Sequence, residues 1–169
     1  MALSIPKEYL LEAHSKSLFQ LRLLHYPSVL NSELSWKKTR IFPHSDLGSL
    51  TLLFQDSVGG LEIESPPSSG NFISAKPIPR TVLVNVADIM ERWSNGRWRS
   101  TIHRVVASST NIDDNGMVKA RYSIPFFVLA NPDTIIEPLP GCWNEKNPKK
   151  YEPITQSQYL KKRMATVYS

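Results

Sequence analysis

Cysteine is almost absent from this chain: Cys142 is the only one in 169 residues. That excludes an intramolecular disulfide and any multi-cysteine zinc or iron-sulfur site, and it points to a cytoplasmic setting. Long apolar runs are missing too. The stretch "MALSIPKEYLLEAHSKSLFQ" mixes Lys, Glu and His among its apolar residues. It therefore offers neither a signal-peptide core nor a membrane span of roughly 20 apolar residues, and a soluble protein without a membrane partner is expected. A dense basic face is the third absence. The 20 Lys and Arg against 15 Asp and Glu leave a net charge of +5, scattered except at Lys149 with Lys150 and at Lys161 to Arg163. That distribution argues against a nucleic-acid partner and is compatible with a small anionic ligand.

With 41% hydrophobic and 21% charged residues, the chain can bury the core of one domain. "PKEYLLEAHS" (6 to 15) predicts a short helix with proline near its first turn, and "LFQLRLLHY" predicts a strand entering the core and ending at Pro27. After a polar loop rich in Ser and Lys come the runs "LTLLFQ", "GLEIES", "TVLVNV", "STIHRVV" and "VKARYSIPFFVLA". Short strands separated by Gly, Pro, Asn and Asp turns argue for a sandwich or barrel. "SPPSSG" (65 to 70) reads as a flexible loop. Asn115-Gly116 suits a tight hairpin turn, which predicts that residues 101 to 107 pair with 117 to 124. Thr155 can cap a helix over about 156 to 166, approached through Pro138, Pro140, Pro148 and Pro153. No internal repeat is visible.

Chemistry enters at "FPHSDLGSLTLLFQ" (42 to 55), where His44 and Asp46 stand two apart. On an extended strand such residues project from one face and can reach one ion. A polar loop with Asp46 capping a turn explains the same triplet. His103, inside an apolar strand, needs a partner for its ring nitrogens, and a hydrogen-bonded core histidine is the plainer alternative to a ligand. His14 belongs on a polar helix face, and His25 lies in a strand without an acidic neighbour. Together, His44, Asp46 and His103 make two imidazoles and one carboxylate, the facial set of non-haem iron oxygenases. Arg121 and Ser123, also two apart on a strand, can point into the same cavity and suit a dicarboxylate, or form a surface pair on an edge strand.

These stretches resemble the iron(II) and 2-oxoglutarate-dependent oxygenases of the isopenicillin N synthase-like family. The likeness runs through "LRLLHYP", "HSDLGSLTLLFQDSVGGLEI", "VNVADIMERWSNGRWRSTIHRVV", "RYSIPFF", "NPDTIIEPLP" and "KYEPITQSQYLKKR". It implies that His44, Asp46 and His103 ligate Fe(2+), with Arg121 and Ser123 on the distal carboxylate of 2-oxoglutarate and O2 as the oxidant. Tyr26 stands at the last Tyr of the family's N-Y-Y-P stretch and is implied as a further co-substrate contact. Leu24 replaces that stretch's Asn, and Ala87 replaces the Gly of N-x-G-D. Asp88, Asn95 and Gly96 are then structural turn residues.

The implied fold is an all-β core with flanking helices, a distorted double-stranded β-helix of the jelly-roll or cupin-like kind. Residues 1-17 form an N-terminal helix, 18-140 the barrel, and 141-169 a C-terminal loop and helix. The implied activity is hydroxylation, desaturation or cyclisation of a small molecule in secondary metabolism, with decarboxylation of 2-oxoglutarate to succinate. Members usually run to about twice this length. The missing N-terminal region predicts self-association or a partner covering the exposed surface. It also leaves room for a truncated non-catalytic binding module. An oxidase that does not use 2-oxoglutarate is a further alternative. Leu53, Phe54, Trp93 and Phe127 are candidates for the substrate wall or for the core.

Overall fold

The computed structural model describes residues 3, 5–16, 18–34, 39–107 and 111–167, the side chains of 7, 166 and 167 excepted. Helix α1 (Lys7–Ala13) leads into β1 (Gln20–Leu21), β2 (Leu24–Tyr26), β3 (Val29–Leu30) and β4 (Thr39–His44). Then come β5 (Leu50–Gln55), β6 (Leu61–Glu64), β7 (Phe72–Ser74), β8 (Leu83–Val86), α2 (Asp88–Trp93) and β9 (His103–Val106). The chain closes with β10 (Met117–Val118), β11 (Arg121–Val128), β12 (Ile135–Ile136), β13 (Ile154–Thr155) and α3 (Gln156–Val167).

One sheet has the order β1-β11-β5-β8, with β2 also on β11, and a second has the order β4-β9-β6-β7. Every pairing in both is antiparallel. Their inward faces enclose a cavity, the double-stranded β-helix that the sequence led us to expect. Alternation along β11 shows why: Arg121, Ser123 and Pro125 are buried while Tyr122 and Ile124 face outward. Glycine closes the ends of the sandwich where backbones meet. A Cβ on Gly48 would sit 2.3 Å from the Val128 carbonyl oxygen, so only glycine lets the turn after Asp46 lie against the end of β11.

The main buried cluster lies beside the sheets rather than between them. Ile89, Met90 and Trp93 of α2 meet Ile136, Leu139, Cys142 and Tyr159 there, with Ala13 from α1. Thr155 does cap α3: its Oγ1 accepts from Gln158 N–H at 3.2 Å while Gln158 Oε1 accepts from Thr155 N–H at 3.1 Å.

Three expectations are corrected. First, "LFQLRLLHY" is two edge strands, not one strand entering the core. Proline has no N–H to donate, and Pro125 faces the break between β1 and β2, where Arg22 N–H still donates to the Pro125 carbonyl. Leu21 and Leu23 are exposed. Second, β9 does not pair with the 117 to 124 segment but sits between β4 and β6. The Asn115-Gly116 turn closes a local hairpin, with Gly116 N–H donating to the Asp113 carbonyl and Ile112 bridging Val118, after which β10 pairs with β3. Third, His14 is not on a polar helix face. It ends α1 with Nδ1 2.6 Å from the Leu10 carbonyl and Nε2 2.8 Å from Ser49 Oγ, its ring edge-on to Trp93.

The polar loop after Pro27 lies partly outside the described residues, at 35 to 38. The 65 to 70 loop is organised by Glu64, whose carboxylate accepts from Ser68 and Gly70 N–H. Asn95 and Gly96 end α2 with positive φ, whereas Asp88 is a buried residue of the α2 first turn. No helix among the described residues is long and apolar enough to cross a membrane.

Candidate functional site

His44 is the last residue of β4 and lies directly opposite His103 of β9. Asp46 is not on that strand; strand alternation therefore does not explain its position, as the spacing had suggested. It sits in the turn that Gly48 permits, where its carbonyl accepts from Asp88 N–H at 3.0 Å. The result is a cluster in which one donor atom from each of His44, Asp46 and His103 lies within 4.8 Å of the others. Asp46 Oδ1 is 3.9 Å from His44 Nε2 and 3.8 Å from His103 Nε2. Two donors each about 2.1 Å from one ion lie at most about 4.2 Å apart, and both Asp46 spacings are inside that limit.

Neighbouring groups orient each donor. His44 Nδ1 is 2.8 Å from the Phe42 carbonyl and His103 Nδ1 is 3.0 Å from the Thr101 carbonyl. A carbonyl only accepts, so both Nδ1 atoms carry the proton and both Nε2 lone pairs point toward Asp46. Burial and the nearby His103 lower the His44 pKa against the opposing pull of the Phe42 carbonyl and Asp46, which favours the neutral imidazole that a metal needs. Asp46 Oδ2 accepts from Thr51 Oγ1 at 2.6 Å and Asn85 Nδ2 at 3.0 Å, which leaves Oδ1 for an ion. Thr51 and Asn85 were not picked out from the sequence. Their signal was a polar residue at an inward position of an apolar strand, in "LTLLFQ" and "TVLVNV".

The cluster opens onto a cavity of about 210 Å³ between the sheets. Arg121 lines it while being only 2% exposed, and among the described residues it has no carboxylate in ion-pair contact. Its Nε donates to the Gly59 carbonyl at 2.8 Å, Nη1 to Ser123 Oγ at 3.0 Å and Nη2 to Gln55 Oε1 at 3.1 Å. Burial lowers its pKa, although Tyr26 and Asp56 act in the other direction. Tyr26 lies under the guanidinium, 4.9 Å from ring centroid to Cζ. A buried cation held by neutral acceptors stands ready for an anion. Thr51, which holds Asp46, and Gln55, which holds Arg121, share one face of β5 roughly 13 Å apart, with Leu53 between them.

Every residue singled out for this site, including Ser123 and Tyr26, lines the one cavity. The four candidate wall residues divide. Leu53 and Phe127 line the cavity, Phe54 lies on the outer face, and Trp93 is wholly buried in the cluster beside the sheets. His25 does not line the cavity, although Leu24 and Tyr26 on either side do; its ring stacks on Tyr122 with centroids 4.6 Å apart.

Two imidazoles and one free carboxylate oxygen, all lining one cavity, are by identity the donor set of ferrous oxygenases.

A family model described as the 2OG-Fe(II) oxygenase superfamily matches residues 18–130. The 2-oxoglutarate-dependent dioxygenase imqE of Aspergillus flavus is 38% identical over 173 residues, which span 100% of this chain and 47% of that protein. The proline hydroxylase buaE of Petromyces alliaceus is 37% identical, over 99% of this chain and 52% of that protein. Among solved structures, a full-length Neurospora crassa protein in complex with alpha-KG and thymine superposes with a TM-score of 0.86 at 40% identity, over 98% of this chain and 49% of that one. The chain therefore spans about half the length of the relatives it matches.

Proposed function

The chain belongs to the 2OG-Fe(II) oxygenase superfamily, and from that premise we propose that it is a 2-oxoglutarate-dependent dioxygenase acting on a small molecule in secondary metabolism. In this reading residues 18-140 are the barrel, flanked by 1-17 and 141-169, and the protein works in the cytoplasm. His44, Asp46 and His103 hold Fe(2+), while Arg121 and Ser123 receive the distal carboxylate of 2-oxoglutarate and Tyr26 makes a further contact with the co-substrate. The observation that carries the reading is the shared cavity: a three-donor cluster and a buried guanidinium, with no carboxylate in ion-pair contact among the described residues, line the same space. At about 210 Å³ that space is below the roughly 300–1,000 Å³ of drug-sized sites, which suits a small dicarboxylate.

Ferrous iron with 2-oxoglutarate supplies the activation of O2 that oxidises a substrate C–H bond, with release of succinate and carbon dioxide. The chain's residues supply the geometry. Thr51 and Asn85 occupy Asp46 Oδ2, so its other oxygen keeps a fixed direction. The Ser123 hydroxyl accepts from Arg121, which leaves its own proton to donate to a carboxylate. Apolar Ile41, Leu83 and Val105 line the space and limit water there. One relative is named a proline hydroxylase and another is solved in complex with thymine, so relatives of similar identity are associated with different small molecules.

Anaerobic addition of Fe(II) and 2-oxoglutarate should produce a charge-transfer absorption, and admission of air should release succinate. His103→Ala should abolish both signals and His14→Ala should leave them. Equal losses in the two variants, or oxygen uptake without any need for 2-oxoglutarate, would overturn the proposal.

A further inference from the structure

Behind the donor cluster, the C-terminal helix reaches the residue that separates its first two members. Ser45 lies between His44 and Asp46, is 8% exposed, and does not line the cavity; with Asp88 it borders a separate polar cleft. Its hydroxyl accepts a hydrogen bond at 3.2 Å from Nη2 of Arg163, on α3. The other terminal nitrogen of the same guanidinium, Nη1, donates to Asp88 Oδ2. Tyr159, four residues earlier on the same helix face, donates its hydroxyl to that oxygen at 2.7 Å. Asp88 in turn holds the turn from its backbone, through its N–H on the Asp46 carbonyl. One forked side chain therefore touches the donor segment directly at Ser45 and indirectly through Asp88.

An anchor for α3 alone would need only the pair with buried Asp88. The second arm of the fork goes to a serine hydroxyl, buried and flanked on both sides by metal donors. Lysine could satisfy Asp88 but, as a point donor, could not hold both partners in this planar arrangement. Burial opposes the Arg163 charge, yet Asp88 and the Tyr159 hydroxyl outweigh it and raise its pKa, so the fork stays charged at any working pH.

We infer that Arg163 is a positioning residue for the metal site: by gripping Ser45 and Asp88 together, it sets the spacing of His44 and Asp46 from outside the cavity. The inference rests on the reading of His44, Asp46 and His103 as metal ligands. It makes α3 part of the site's support although none of that helix's described side chains lines the cavity.

The test is Co(II) titration of the full chain by calorimetry, with thermal melting of the metal-free protein alongside. Outer-shell groups of this kind are worth about 10–100-fold in metal affinity, and Arg163→Met should weaken Co(II) binding by that range. Ser45→Ala, which leaves the Asp88 pair intact, should weaken binding with little change in melting temperature. Arg163→Lys should recover the melting temperature but not the affinity, and the cobalt d–d absorption of both variants should differ from wild type. If Arg163→Met does not fold, these two variants decide. Co(II) binding by both within about twofold of wild type would overturn the inference. Equal Co(II) affinity in wild type and His103→Ala would instead overturn the underlying metal-site reading.

Discussion

His44 and His103 face each other across β4 and β9 with ring centroids 4.3 Å apart, and each is tied by Nδ1 to the carbonyl two residues before it. The two strands thus present the same device twice, a protonated Nδ1 behind and a bare Nε2 ahead. Replacing either ring with alanine should abolish tight Fe(II) or Co(II) binding, as read by calorimetry. His25→Ala, which removes a surface stack on Tyr122, should leave binding unchanged.

Asp46 depends on its two donors. Removal of the Thr51 hydroxyl or the Asn85 amide frees Oδ2 to compete for the ion or to rotate away. Thr51→Val and Asn85→Ala should each reduce metal affinity by about 10–100-fold, the usual size of an outer-shell loss. Unchanged affinity in both would show that the Asp46 orientation is set by the backbone alone.

Arg121 is held by three neutral acceptors that define the plane of its guanidinium. Arg121→Lys keeps the charge but loses the fork, so 2-oxoglutarate should bind at least about tenfold more weakly, as expected for a lost charge-assisted hydrogen bond of about 1.5–3 kcal/mol. Metal affinity measured without 2-oxoglutarate should not move.

Burial, then the adjacent carboxylates of Glu91 and Asp88, push Tyr151 and Tyr159 each up to about 12. Both folded values lie above the unfolded value near 10, so the stability these hydroxyls contribute is complete below pH 10. It is lost as pH rises through 12. Chemical denaturation as a function of pH should show stability falling from about pH 10 upward. The fall should be smaller in Tyr159→Phe, and ultraviolet titration should show Tyr151 and Tyr159 among the phenols that ionise late, with Tyr9, whose burial also raises it.

Gly48→Ala should lower the melting temperature, because its Cβ would meet the Val128 carbonyl oxygen at 2.3 Å and neither backbone can yield easily. Overpacking of this kind typically costs about 1–3 kcal/mol. Metal affinity should fall with it, since the same turn carries Asp46.

Much of the site was legible before the fold was known. A His-x-Asp pair, a strand histidine and an Arg-x-Ser pair are side-chain facts, and period-two alternation correctly turned Arg121 and Ser123 to one face. What the chain's order conceals is partnership over distance. The Asn115-Gly116 turn is real, yet which strand follows β9 in space depends on long-range contacts that periodicity does not encode. Thr51 and Asn85 look like ordinary strand polar residues until Asp46 is seen between them. Asp46 joins the cluster for a different reason, since a glycine contact with Val128 positions it where strand alternation was expected to.

Trp93 gives the molecule an optical handle. Wholly buried among apolar side chains, with Tyr9 and His14 edge-on to its ring, its indole sits in a dry environment that water would reach only on unfolding. Because that indole belongs to the cluster beside the sheets and not to the cavity, its fluorescence should stay blue when the ion is stripped and shift red when the chain opens. Trp93 is one of four tryptophans, and Trp143 is exposed, so in a variant that keeps Trp93 alone a single emission spectrum can tell an empty protein from a broken one.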